Sequence, residues 1–130
     1  MPTTAAHILV VDDNEEILST ISIILTRKLY KVTAMRRTDD FVQAVQNLSP
    51  DLVLLDKNLG WADGCDLCKM IKQHQTVSHI PVIMFSAYYK KRDECLDAGA
   101  DEFIEKPFEM LALLLTIERF SQNPRQLQQH

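Results

Sequence analysis

The sequence lacks the features that mark membrane, secreted and nucleic-acid-coating proteins. No apolar segment in its 130 residues approaches the roughly 20 needed to cross a bilayer. The stretch from Met1 to His7 has no basic run followed by an apolar one, so no secretory signal is read there. Cysteine is scarce. Three thiols, an odd number in a chain without an export signal, are read as reduced and cytoplasmic. Positive charge is not in excess either: 14 Lys and Arg face 18 Asp and Glu, and the net charge of -4 argues against a sequence-independent grip on nucleic acid. There is no internal repeat, low-complexity tract or interdomain linker. What is present is 46% hydrophobic and 25% charged, the balance of one globular domain with a substantial core.

Three short apolar runs each end in charge. Ile8 to Val11 runs into Asp12 and Asp13, Leu52 to Leu55 runs into Asp56, and Phe103-Ile104 leads through Glu105 to Lys106 and Pro107. If these runs are buried parallel strands, their carboxyl ends gather three carboxylates and one ammonium at one sheet edge. Three close anions repel one another unless a cation joins them, and a core gains nothing from such a group.

The spacing predicts strand and helix alternating five times. Residues 7–12 read as a strand, and Asn14 caps a helix whose first turn carries Glu15 and Glu16. Ile17, Ile21, Ile24 and Leu25 form its buried stripe. Lys31 to Met35 is a second strand. Thr38 is placed as the cap of the next helix, with Phe41, Ala44, Val45 and Leu48 on one face. A third strand, Leu52 to Leu55, leads through a Gly-containing loop to a helix from about Gly64 to His74. Ile80 to Phe85 is a fourth strand, followed by a helix ending at Gly99, a strand over about 101–104 and a helix over 108–120. Uniformly apolar strands with helices between them imply a doubly wound α/β sandwich with a parallel sheet. Such folds place ligands beyond the carboxyl ends of their strands, where Asp12, Asp13, Asp56, Ser86 and Lys106 fall.

Taken in order, Ile8 to Asn14, Pro50 to Asp56, Asp63-Gly64, Ile80 to Ala87, Gly99 to Asp101 and Lys106-Pro107-Phe108 resemble a response regulator receiver domain of two-component signalling. The resemblance runs from about His7 to Phe120. It implies a flavodoxin-like (βα)5 fold with strand order 2-1-3-4-5, divided as an extension over 1–6, the domain over 7–120 and a polar tail over 121–130. It implies that Asp56 accepts a phosphoryl group from a phosphohistidine on a sensor kinase or a histidine phosphotransfer protein. Asp13 and Asp56 would ligate Mg²⁺ directly, with Mn²⁺ as a substitute, Asp12 would act mainly through water, and the Asn58 backbone carbonyl would add a ligand. Lys106 and Ser86 would contact the phosphoryl oxygens. Ser86 and Phe103 would form the switch, and the fourth helix, fifth strand and fifth helix would present the surface read by a downstream protein. The domain would not be an enzyme beyond turnover at its own aspartate, would bind neither nucleic acid nor membrane, and would reside in the cytoplasm.

Single residues carry plainer readings as well. Asp12 and Asp13 can cap a helix, Asp56 can be a loop acid, Lys106-Pro107 a solvated turn and Phe103 ordinary core. The five-residue run Leu111 to Leu115 is read as core-buried, with self-association through that face as the alternative. Gly60 stands where the family usually has Pro, which implies a more mobile loop. Trp61 is read as exposed, a partner contact or a lid, and Tyr88 as a screen against water. Cys65-x-x-Cys68 is read as packing beside Leu67 and Ile71 rather than as a metal or redox pair, because no second ligand pair stands at zinc spacing. Asp56-Lys57-Asn58 superficially matches the Asp-Lys-Thr of cation pumps, which the length excludes. A haloacid-dehalogenase phosphatase needs an acid where Asn58 stands. A free-standing receiver is the direct reading; a piece of a larger regulator or hybrid kinase, and a phosphate-independent pseudo-receiver, are the alternatives.

Overall fold

The structure is a computed structural model that describes residues 5–87, 89–107 and 109–121. Tyr88, Phe108, residues 122–130 and hence the screen, motif end and tail expected there lie outside the described residues. The strands are β1 (His7–Val11), β2 (Lys31–Met35), β3 (Leu52–Asp56), β4 (Val82–Ser86) and β5 (Glu102–Glu105). The helices are α1 (Glu15–Arg27), α2 (Phe41–Leu48), α3 (Gly64–Gln73), α4 (Arg92–Asp97) and α5 (Met110–Ser121), with a 3₁₀ turn over Tyr89–Lys91 before α4. All strand pairs are parallel, in the order β2-β1-β3-β4-β5. The expected architecture is observed.

Alternate residues of each strand enter different cores, as the pleat requires. Leu9, Val11, Val53, Leu55, Val82, Met84 and Phe103 pack with Phe41, Val45, Leu67, Ile71 and Cys95, so α2, α3 and α4 share one face. Ile8, Val10, Leu52, Leu54, Ile83 and Phe85 pack with Leu18, Ile21, Leu25, Leu113 and Ile117, so α1 and α5 share the other. The central strands β1, β3 and β4 are buried along their whole length.

Local differences have local causes. Asn14 caps α1 as expected, its side chain accepting from the Glu16 and Ile17 amides. The stripe on α1 centres on Leu18, Ile21 and Leu25, while Ile17 and Ile24 are half-buried. The cap of α2 is Asp40, not Thr38: Asp40 Oδ1 accepts from the Gln43 amide at 3.1 Å, and the Thr38 hydroxyl instead bonds the Asp40 backbone. β4 starts after Pro81, whose carbonyl still accepts from the Val53 amide, and it ends on Ser86 rather than Phe85. The core-buried reading of Leu111 to Leu115 is overturned. Only Leu113 is buried, and Leu111 and Leu115 are 60% and 57% exposed, because four consecutive helical positions already span about 300° around the axis.

Candidate functional site

Strand register lines up the predicted residues. Val11 pairs with Leu55, Asp56 with Phe85, and Ser86 with Glu105, so Asp12, Asp56, Ser86 and Lys106 end neighbouring strands at one level. Backbone bonds fix that level: the Asp12 amide donates to Met35 O, Lys57 N to Phe85 O, and Lys106 N to Ser86 O at 2.7 Å. The peptide bond joining Lys106 to Pro107 is cis.

Asp12, Asp13 and Asp56 each bring a carboxylate oxygen within 4.8 Å of the others. Asp12 and Asp56 are buried and Asp13 is exposed, so the group opens to solvent on one side. Lys106 Nζ lies 2.9 Å from Asp12 Oδ2 and 3.4 Å from Asp56 Oδ1, and 4.7 Å from the centre of the Phe85 ring. Asp12 Oδ1 also accepts from the Asn14 amide. Burial, and next the Asp12 charge, push the Asp56 carboxyl up to about 6, while Lys106 and the Asn58 amide pull against them. An oxygen-only donor set of this compactness is what a hard divalent cation takes. One ammonium does not fully neutralise three carboxylates.

Ser86 is fully buried at the end of β4, and Phe103 is buried in the core under α4. Asn58 follows the site directly and forms an isolated antiparallel bridge with Asp63. Gly60 adopts φ +78°, and a Cβ there would stand 3.1 Å from Asp13 Oδ2. The left-handed turn therefore lets the loop close over Asp13. Trp61 corrects the expectation of exposure. It is half-buried, and its indole N–H donates to the Arg36 carbonyl at 2.7 Å, joining the loop to the end of β2. With Arg37 and Asp13 it lines a cavity of about 470 Å³ beside the carboxylates.

Sequence reasoning missed Lys57. The residue after Asp56 points to the opposite face by strand alternation, where it is 4% exposed. Its ammonium lies 2.8 Å from Asp63 and 3.4 Å from Glu94, so it joins the ends of β3, α3 and α4. Asp63, Cys65 and Glu94 form a second group of metal-capable side chains, but here Lys57 already supplies the cation. Burial alone would raise the Asp63 carboxyl; the Lys57 ion pair holds it below its usual range. The signal was available in principle: a Lys one residue past a buried strand must either surface or find acids. Cys65 and Cys68 are buried as expected, yet the spatial partner of Cys65 is Cys95, with the sulfurs 3.8 Å apart.

Known proteins resemble this chain in sequence and in fold. The chain is 35% identical over 120 residues to the transcriptional regulatory protein GltR of Pseudomonas aeruginosa, covering 91% of this chain and 50% of that protein. It is 34% identical over 116 residues to the response regulator PleD of Caulobacter vibrioides, covering 87% and 25%. The chain thus spans between a quarter and a half of these relatives' lengths. Among solved structures, the receiver domain of NtrX from Brucella abortus superposes with a TM-score of 0.78 at 32% identity, covering 88% of this chain and 97% of that one. The receiver domain of sensor histidine kinase PA1611 from Pseudomonas aeruginosa, determined with a magnesium ion coordinated in its active-site cleft, gives 0.81 at 26% identity, covering 90% and 98%. Residues 8–118 match the family model described as the response regulator receiver domain, and the chain belongs to that family.

Proposed function

We propose that this domain accepts a phosphoryl group on Asp56 from a phosphohistidine of a sensor kinase or a histidine phosphotransfer protein, in a Mg²⁺-dependent reaction. The observation that carries the reading is the packing of three carboxylates within 4.8 Å of one another against the single ammonium of Lys106. Asp13 and Asp56 would hold the metal, with the Asn58 carbonyl adding a ligand and Asp12 acting through water; Mn²⁺ fits the same oxygen donors. When bound, the cation supplies the charge neutralisation that lets an anionic nucleophile approach a phosphoryl group.

The protein's own part is positioning. With its carboxyl at about 6, Asp56 is mostly ionised at neutral pH and can attack phosphorus. A P–O bond to Asp56 forms as the P–N bond to histidine breaks, and the imidazole nitrogen keeps the electron pair. Lys106 would follow the phosphoryl oxygens, and Ser86 would donate its hydroxyl to them. In-line transfer asks for little more than such alignment and charge.

The output would leave through Ser86 and Phe103 to the face made by α4, β5 and α5. Leu111 and Leu115, exposed on α5, give that face apolar contacts for a downstream protein or a second copy. Receiver domains are signalling modules rather than conventional enzymes, and turnover here would be confined to the phosphoaspartate. Among the described residues no helix is long and apolar enough to cross a membrane; the site of action we propose is the cytoplasm.

The test is intact-mass analysis after incubation with acetyl phosphate, with and without Mg²⁺, on the wild type and on Asp56→Ala. One phosphoryl adduct that needs both Mg²⁺ and Asp56 is expected. An adduct that survives in Asp56→Ala would move the acceptor elsewhere. No adduct from either acetyl phosphate or a phosphorylated kinase would favour a binding-only module.

A further inference from the structure

We propose that Cys65 and Cys95 are a thiol pair that oxidises reversibly to a disulfide joining α3 to α4. Their sulfurs are 3.8 Å apart across the interface between the two helices. Sulfurs in a disulfide are about 2.05 Å apart, so a small approach of two side chains closes the bond. The pair spans 30 residues of chain. It is not the C-x-x-C of the sequence: Cys68 lies in the same core but its contacts do not include a second thiol among the described hydrogen bonds.

The surroundings give the two thiols different roles. Cys65 follows the α3 cap, and its amide donates to Asp63 Oδ1 at 2.8 Å. Asp63 and Glu94, both partly exposed, hold the Lys57 ammonium close by, and that positive charge favours the Cys65 thiolate. Cys95 is wholly buried in the middle of α4. Burial pushes the Cys95 thiol up to about 12 and raises the Cys65 thiol as well, against the pull of Lys57. Cys65, grouped with the partly exposed Asp63 and Glu94 that hold the Lys57 ammonium, is the attacking sulfur, and the fully buried Cys95 is the resolving one.

The co-reactant is a peroxide. Cys65 thiolate attacks the peroxide O–O bond, giving a sulfenic acid and hydroxide. The Cys95 sulfur then attacks that sulfenic sulfur and releases water, so two thiols lose two hydrogens as one peroxide is reduced to two waters. A dithiol reductant reverses the change. Both cysteines are under 4% exposed, so oxidation waits on local opening of the six-residue α4. The linked form would fix α4 against α3 whether or not Asp56 carries a phosphoryl group, and the inference does not rest on the phosphoacceptor reading.

The experiment treats the chain with hydrogen peroxide, then denatures it, alkylates it with N-ethylmaleimide and weighs it without reductant. The expected product is a monomer lighter by two hydrogens with one alkylated thiol, returning to three after dithiothreitol. Peptide mapping should join the tryptic peptide of residues 58–69 to the one beginning at Asp93. Cys68→Ser should still form the link, while Cys65→Ser and Cys95→Ser should not, each variant being checked for native circular dichroism. Three alkylated thiols in oxidised wild type, a link confined to Cys65 and Cys68, or a link that survives in Cys95→Ser would overturn the proposal.

Discussion

Lys106 reaches across 94 residues of sequence to place its ammonium 2.9 Å from the carboxylate of Asp12. The pair is the electrostatic keystone of the site, because the same ammonium is also 3.4 Å from Asp56. Removing it leaves three carboxylates facing one another. Lys106→Met should destabilise the metal-free protein by roughly 3 kcal/mol at pH 7.5, since an uncompensated buried charge is costly. It should bind Mg²⁺ more tightly than the wild type, because a competing cation is gone, while accepting phosphate from acetyl phosphate more slowly. Urea melts and Mg²⁺ titrations check the first two effects, and adduct formation against time checks the third.

Asp56 gives the fold a pH dependence of defined sign. Its carboxyl is raised from 3.8 to about 6, with burial the main cause. Folding therefore favours the protonated acid. The associated stability is complete below pH 4 and is lost as pH rises through about 6. A rise of this size corresponds to roughly 3 kcal/mol. Asp56→Asn should thus be more stable than wild type at pH 7.5 without Mg²⁺, with the gap closing towards pH 4.5. Saturating Mg²⁺ should narrow the gap at pH 7.5. An equal gap at both pH values would rule out ionisation of Asp56 as its source.

Two glycines predict contrasting outcomes. A Cβ on Gly64 would stand 2.2 Å from the Asp56 carbonyl oxygen and 2.9 Å from Lys57 Cα, both backbone atoms. Gly64→Ala should cost about 3 kcal/mol or more, since the joint cannot shift without breaking the β3 register. Gly60→Ala meets only the Asp13 carboxylate, but in a left-handed conformation. It should cost about 1 kcal/mol and weaken Mg²⁺ binding more than stability. Chemical denaturation and metal titration on the two variants separate these effects.

Trp61 should be worth about 1 kcal/mol through its indole bond to Arg36, a typical net value for one hydrogen bond. Trp61→Phe keeps the apolar contact and removes the donor. The measurement is the denaturation midpoint, with adduct formation at Asp56 expected to persist because the donor removed bonds the Arg36 carbonyl and not a carboxylate of the site.

The ends of the strands were legible in the sequence because an apolar run that stops at a charge fixes both burial and direction. That rule alone brings Asp12, Asp56 and Lys106 to one sheet edge. What was not legible depended on choices between equivalent neighbours. Thr38 and Asp40 are both competent caps, and only the approach of the chain decides that Asp40 serves. Leu111 to Leu115 has no polar residue to mark its outer side, so the exposure of Leu111 and Leu115 had to come from the packing of α5. The Cys65–Cys95 contact joins separate helices, and no spacing along the chain marks it. Lys57 was masked by its famous neighbour, although the alternation of β3 already turns it the other way.

The nearness of Gly64 to the Asp56 carbonyl makes β3 and α3 one mechanical part. The Gly64 amide bonds the Lys57 carbonyl at 2.7 Å, so backbone touches backbone with no side chain to act as a cushion. A rigid weld on that flank has a consequence for where strain can travel. A side chain added at Gly64 would press on the Asp56 and Lys57 backbone itself, so a change on that flank of the site is felt first by the strand and not by a side chain.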